Sequence, residues 1–182
     1  VWVYRGEVID IASKAAFNKW LSVICDQVYC DTPVYINEMV NKHKPSSAIS
    51  TARVNFLAHL LDNGSDANLG FEDGKFPPEK TIYLTLLRNT GIHKRIGREY
   101  LLDAPTEGSF LPLWKACEAF LDSTKEKPRK LGELIKILRS RPFKLKQGVI
   151  DLWLPAFLII KKNDYSLYND AGVYIHTITR EA

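Results

Sequence analysis

The stretch VIDLWLPAFLII, Val149 to Ile160, restricts the possible folds of this 182-residue chain more than any other. It is apolar apart from Asp151 and interrupted by Pro155. At twelve residues it falls well short of the roughly 20 that a bilayer span needs, so it is not read as a membrane segment. Val149, Ile150, Leu152, Trp153, Leu154, Phe157, Leu158, Ile159 and Ile160 would cover every face of a helix. A helix that is apolar all round is buried all round. The spacing therefore predicts a buried helix over 147–160, kinked or divided at Pro155. The remaining elements must be laid around it.

Those elements can be read from periodicity and punctuation. VWVYRGEVIDI alternates around Gly6 and predicts a short strand pair or extended arm. Phe17, Trp20, Leu21, Ile24 and Val28 recur at helical spacing after Ser13, predicting a capped amphipathic helix over 14–29. TPVYINEMVNK offers Thr32 as a cap and Pro33 at a first helical position, and predicts a second helix. PSSAISTARVNFLAHLLDNG predicts a third, starting from serine caps, with Ile49, Phe56, Leu57, Leu60 and Leu61 on one face. Residues 62–78 are a polar, Gly-rich loop ending in two prolines. A helix over 79–89 turns Ile82, Tyr83, Leu86 and Leu87 inward and is capped by Gly91, and 92–104 reads as a hairpin turning at Gly97. Helices over 110–123, 131–139 and 147–160 follow, then a hairpin around Asn169–Gly172.

The expected fold class is mainly α with small β-hairpins. Three helices followed by a hairpin is the order of a winged helix. It occurs in residues 106–182, and with one extra helix in residues 1–105. The expectation is two tandem winged-helix-like halves.

Charge is unevenly placed. The whole chain carries +4. Residues 125–146 hold nine basic and two acidic side chains, a net +7, which leaves −3 for everything else. Arg129, Lys130, Lys136, Arg139, Arg141, Lys144 and Lys146 are the candidate binding residues of this run. It is either a solvated helix edge or a face for phosphate or an acidic partner. His93, Lys94, Arg95 and Arg98 form a second, smaller group on the first hairpin. A helix that reads bases must present polar side chains to the major groove, and 147–160 has almost none. Any contact with DNA would then be to the backbone and indifferent to sequence.

No residue pattern declares a chemistry. Phosphate-cradling GxxxxGK[ST], dinucleotide-binding GxGxxG, HExxH and GxSxG are all absent from the sequence. Cys25, Cys30 and Cys117 form no CxxC pair, and read as buried, inert thiols in a reduced interior, which suggests a cytoplasmic protein. His43, His59, His93 and His176 are widely separated, so no metal site or cofactor is expected. Asp10, Asp26, Glu38 and Glu99 would have to be gathered by folding to serve as a carboxylate site. Trp2, Trp20, Trp114 and Trp153 are expected in the core.

FNKWLSVICDQVYCDTPVYINEMVNKHKPSSAISTARVNFLAHLL, FPPEKTIYLTLLRNTGIHK and KLKQGVIDLWLPAFLIIKKNDYSLYNDAGVYI carry a resemblance across most of residues 17–175. Together they resemble a region of very large bacterial P-loop ATPases, including those of BREX/Pgl-type phage-defence systems. The LYNDAGVY hairpin matches the end of that region. The resemblance implies a fragment of a longer protein, an accessory helical and winged region that follows the ATPase core. The nucleotide motifs of that family are missing here, so no residue inherits ATP binding. The expectation is a non-catalytic module that contacts duplex DNA backbone or its parent chain. The alternatives are a purely structural docking domain, or an enzyme whose site is assembled by folding.

Overall fold

The computed structural model describes residues 1–41 and 47–176, excluding the side chain at position 41. The chain is mainly helical, with three two-stranded antiparallel hairpins among the described residues. The order is β1 (Trp2–Tyr4), β2 (Glu7–Ile9), α1 (Lys14–Val28), α2 (Glu38–Asn41), α3 (Ser47–Asp62), α4 (Pro78–Tyr83), β3 (His93–Ile96), β4 (Glu99–Leu102), α5 (Leu111–Ser123), α6 (Leu131–Arg139), α7 (Gln147–Ile160), β5 (Leu167–Tyr168) and β6 (Tyr174–Ile175). Short 3-10 turns at Ala67–Gly70 and Gly108–Phe110 fill two of the connections.

Helix α7 is the centre. Nine of its residues are buried, and Trp153 is 1% exposed. Burying each large apolar side chain stabilises the fold by roughly 1.5–3 kcal/mol, an upper bound for a chain already compact when unfolded. Helices α2, α3 and α6 all pack on α7. Trp153 meets Phe110 at 5.5 Å and Trp114 at 6.2 Å between ring centroids, and its indole N–H donates to the Cys117 sulfur at 3.4 Å. The helix runs through Pro155 without being divided. One buried cluster extends from Tyr35 to Ile159, so residues of both proposed halves share it.

Two glycines permit close approaches. A Cβ at Gly148 would stand 2.8 Å from the Val40 carbonyl, so its absence lets α2 close onto α7. Gly91 has φ +74°, and a Cβ there would stand 1.9 Å from the Thr106 hydroxyl. Ahead of Gly91, α4 widens into a π-turn over Leu84–Arg88, where the Asn89 N–H donates to the Leu84 carbonyl at 2.9 Å. With that extra residue in the turn, Ile82, Tyr83, Leu86 and Leu87 all point inward.

The sequence expectations fail at several places, each for a physical reason. Residues 32–37 form neither helix nor strand, and helix starts only at Glu38. Thr32 does not cap a helix, because its hydroxyl donates to the Phe143 and Pro142 carbonyls. The Val34 N–H is taken by the Ser109 hydroxyl at 3.0 Å, and Pro33, Tyr35 and Asn37 turn inward while Val34 and Ile36 turn out. Ser13 does cap α1, accepting from the Ala16 N–H at 3.1 Å, but α1 buries no residue. Trp20 is 38% exposed and Trp2 52%, so only Trp114 and Trp153 are core tryptophans. Cys25 and Cys30 are likewise exposed, and only Cys117 is buried. Burial pushes the Cys117 thiol up to about 12, so it stays protonated. His43, and position 46 among the serine caps of α3, lie outside the described residues.

Candidate nucleic-acid interface

The basic run occupies the start of α6, the helix itself and the turn into α7. Lys125 is paired with Asp122 at 2.7 Å, and Arg129, the first of the candidate residues, is committed to structure. Arg129 donates through Nε and Nη2 to one carboxylate oxygen of Glu133, at 3.0 and 2.8 Å. Its Nη1 donates to the Ser123 hydroxyl at 2.8 Å, and the guanidinium lies 4.3 Å from the Phe120 ring centroid. Arg129 thus fastens the end of α5 to the start of α6. Glu133 also accepts from the Lys130 N–H at 3.2 Å, satisfying one of the orphan donors at the helix start. The Arg129 hydrogen bond, aided by that backbone donor, holds the Glu133 carboxyl below its ordinary range.

The later cations are turned outward. Lys136 and Arg139, three residues apart, share one side of α6 in its last turn and are exposed. Arg139 donates to the Gln147 side-chain oxygen, and the Gln147 amide donates on to Asp151. Asp151, the acidic member of α7, is paired with Arg53 at 3.2 Å. In the following turn the Leu145 N–H donates to the Leu138 carbonyl at 2.9 Å, tying the turn back onto α6. Phe143 and Leu145 are buried there, while Arg141, Lys144 and Lys146 are exposed. Lys144 takes φ +53°, and its N–H donates to the Ser140 carbonyl at 2.8 Å. The alternation of anchors and cations brings Arg141 and Lys144 to the same end of α6 as Lys136 and Arg139. Lys130 sits at the opposite end, roughly 13 Å away along the helix. Among the described residues, Lys130, Lys136, Arg139, Arg141 and Lys144 form no ion pair.

The second group does not assemble. His93 is 4% exposed and faces inward, with the Tyr83 hydroxyl 2.9 Å from its Nδ1. Its Nε2 has no hydrogen-bond partner. Burial pulls the His93 pKa down; the Gly64 backbone pulls the other way, without reaching hydrogen-bonding geometry. Lys94 is half-buried and paired with Asp103 at 3.0 Å. Arg95 folds back on the Gly97 carbonyl at 3.0 Å, and Arg98 is exposed at the hairpin tip. Alternation along β3 puts His93 on the face of the exposed Arg95, so nothing in the local sequence marks His93 as buried.

A cleft of about 700 Å³ lies between the α5–α6 connection and the β5–β6 hairpin. Phe120, Pro128, Arg129, Lys130, Tyr165 and Tyr168 line it. The sequence does not disclose it, because it exists only once the hairpin folds back over α5. Asp10, Asp26, Glu38 and Glu99 are exposed and scattered over separate elements. Among the described residues, no group of three or more His, Cys, Asp or Glu is placed to hold a metal ion. Among the same residues, no helix is long and apolar enough to cross a membrane. Comparison of the chain with family models, curated proteins and solved structures finds no match.

Proposed function

We infer that this chain is a non-catalytic interaction module of a larger bacterial ATPase-type protein, and that it contacts nucleic-acid backbone through the basic end of α6. The reading includes two tandem winged-helix-like halves, residues 1–105 and 106–182. The order of three helices and a hairpin in the second half supports it. One observation carries the functional part: Lys136, Arg139, Arg141 and Lys144 lie exposed at one end of α6 with no carboxylate against them among the described residues. Nothing on α7 can read bases, since its side chains are spent on the core. Binding is then weak, indifferent to sequence and strongly dependent on salt. With four phosphates engaged, log K falls with log salt at a slope of about −3.6. Fluorescence anisotropy on labelled duplex DNA at several salt concentrations tests this. Replacing Arg139 and Arg141 together by Ala should lower both affinity and slope. Absence of binding at low salt, or unchanged binding in the double variant, removes the reading.

A second reading, a protein-docking domain, is favoured by α1. That helix and its hairpin leave Trp2, Trp20, Leu21 and Val23 exposed, an apolar surface of the kind that docks on another part of a parent chain. It becomes the better reading if DNA binding fails.

A further inference from the structure

We propose that the two adjoining cavities around His59 and Lys80 form a binding site for a phosphate-type anion, one that carries both ionised oxygens and a hydroxyl. The site lies on α3, α4 and the loop between them, separate from the basic end of α6.

Lys80 is 4% exposed. Its ammonium donates to the Glu72 carbonyl at 2.5 Å and lies 4.8 Å from the Phe76 ring centroid. No carboxylate pairs with it among the described residues, because the Glu72 carboxylate is bound to Lys75 at 2.7 Å. A carbonyl dipole and a ring face compensate a buried cation only in part, and a full counter-charge is what the geometry lacks. A cavity of about 190 Å³ opens beside it, lined by His59, Phe71, Glu72, Lys75, Glu79 and Lys80. A second, of about 360 Å³, shares His59 and Glu79 and adds Asn55, Asp62 and Asn63.

His59 tells which anion fits. Its Nδ1 is 2.9 Å from the Leu69 carbonyl, which can only accept, so Nδ1 carries the proton, and the longer 3.4 Å approach of the Asn63 amide nitrogen to the same atom is not a hydrogen bond. In the neutral ring Nε2 is then an acceptor. Stacking on Phe71 at 4.0 Å fixes the ring plane. The loop is built to present that carbonyl: Asn68, Leu69 and Gly70 all have left-handed φ, at 54°, 50° and 69°. Arg88 donates to the Asn68 side chain at 3.1 Å, and the Asn68 amide donates to Asp73 at 3.4 Å. Strained backbone of this kind persists only where its surroundings enforce it, and it concentrates at ligand sites. Lys80 supplies donors for ionised oxygens, with Lys75 beside it paired to Glu72, while His59 Nε2 accepts a donated hydrogen and Glu79 already accepts one from Asn55 at 3.3 Å. A monoprotonated phosphate satisfies both demands; sulfate and carboxylates bring only acceptors.

The test is a titration followed by 1H–15N NMR near neutral pH, with inorganic phosphate, glycerol 3-phosphate and, as control, sulfate at equal ionic strength. Phosphate should give saturable shifts at the His59 ring and at the amides of residues 69–76, 79 and 80, with a Kd on the order of 1 mM. Sulfate should bind at least roughly tenfold more weakly. Glycerol 3-phosphate, which near neutral pH is mostly a dianion without a P–OH, should bind more weakly than phosphate, and equal or tighter binding would overturn the hydroxyl requirement. Lys80→Met should abolish the saturable response. His59→Phe, which keeps an aromatic ring against Phe71 but has no acceptor, should remove the preference for phosphate over sulfate. If Lys80→Met fails to fold, His59→Phe decides alone. No saturable shift, an equal response to sulfate, or shifts confined to residues 130–146 would overturn the proposal.

Discussion

Helices α1 and α7 are almost the same length, and both are flagged by apolar residues in the sequence, yet they end in opposite environments. Helix α7 buries nine residues under α2, α3 and α6. Helix α1 buries none, and is held by the Ser13 cap, by Trp2 against Phe17 at 4.6 Å and by Tyr4 donating to Gln27 at 3.1 Å. Apolar spacing says that a helix has a face to cover; it does not say what covers it. Only the all-round pattern of α7 compels burial within the chain itself. An isolated helix of about 15 residues is marginal in water, so α1 depends on its small hairpin far more than α7 depends on any single neighbour.

The contrast can be broken most decisively at Trp153. Trp153→Ala should cost about 3–5 kcal/mol, because a fully buried indole leaves a cavity between Phe110, Trp114 and Phe157. Urea unfolding measures it, and a loss under about 1 kcal/mol would mean that α7 is not the core. Gly148→Ala is next. The new Cβ meets the backbone of Val40, which cannot swing aside, and overpacking of about 1–3 kcal/mol outweighs the gain of up to ~1 kcal/mol from better helix propensity. A stabilised variant would show that α2 yields easily.

Acid offers a gentler probe of the core. His93 has its pKa lowered by burial from 6.5, so the unfolded chain takes up the proton first as pH falls. Its contribution is fully present above that value and is lost as pH drops from there toward the folded pKa. Urea midpoints measured at about pH 7.5 and about pH 5.5 should therefore fall with acidification, and a flat profile would place His93 in contact with water. Least of all is expected from Trp20→Ala on α1, a loss below roughly 1 kcal/mol, since much of that indole already meets solvent. A loss as large as that of Trp153→Ala would erase the distinction between the two helices.

Much of the fold was legible from periodicity. The helices at Lys14–Val28, Leu131–Arg139 and Gln147–Ile160, and the three hairpins, lie where apolar spacing and turn residues put them. The failures have a common origin in partners distant along the chain. Thr32 and Pro33 have the form of a helix start, but Pro142, Phe143 and Ser109 claim the groups that would have begun it. Arg129 counts as a positive charge in composition and is consumed by Glu133 and Phe120 in space. The outward cations from Lys136 to Lys144 follow from their buried neighbours Leu134, Leu138, Phe143 and Leu145, a pattern visible in the sequence. The cleft beside Tyr168 and the cavities at His59 are not, because each is bounded by segments that meet only after folding.

The segment 32–37 has a mechanical reading. It joins α1 to the core, and near its α1 end the Thr32 hydroxyl is fastened to the carbonyls of Pro142 and Phe143, between Arg141 and Lys144. A load applied to α1 is therefore delivered first to the cationic turn and only afterwards to α2. Tethering by a hydroxyl, which gives way before a covalent bond or a packed core does, makes Thr32 the fuse in that line: under tension the turn would be released while α7 stayed seated.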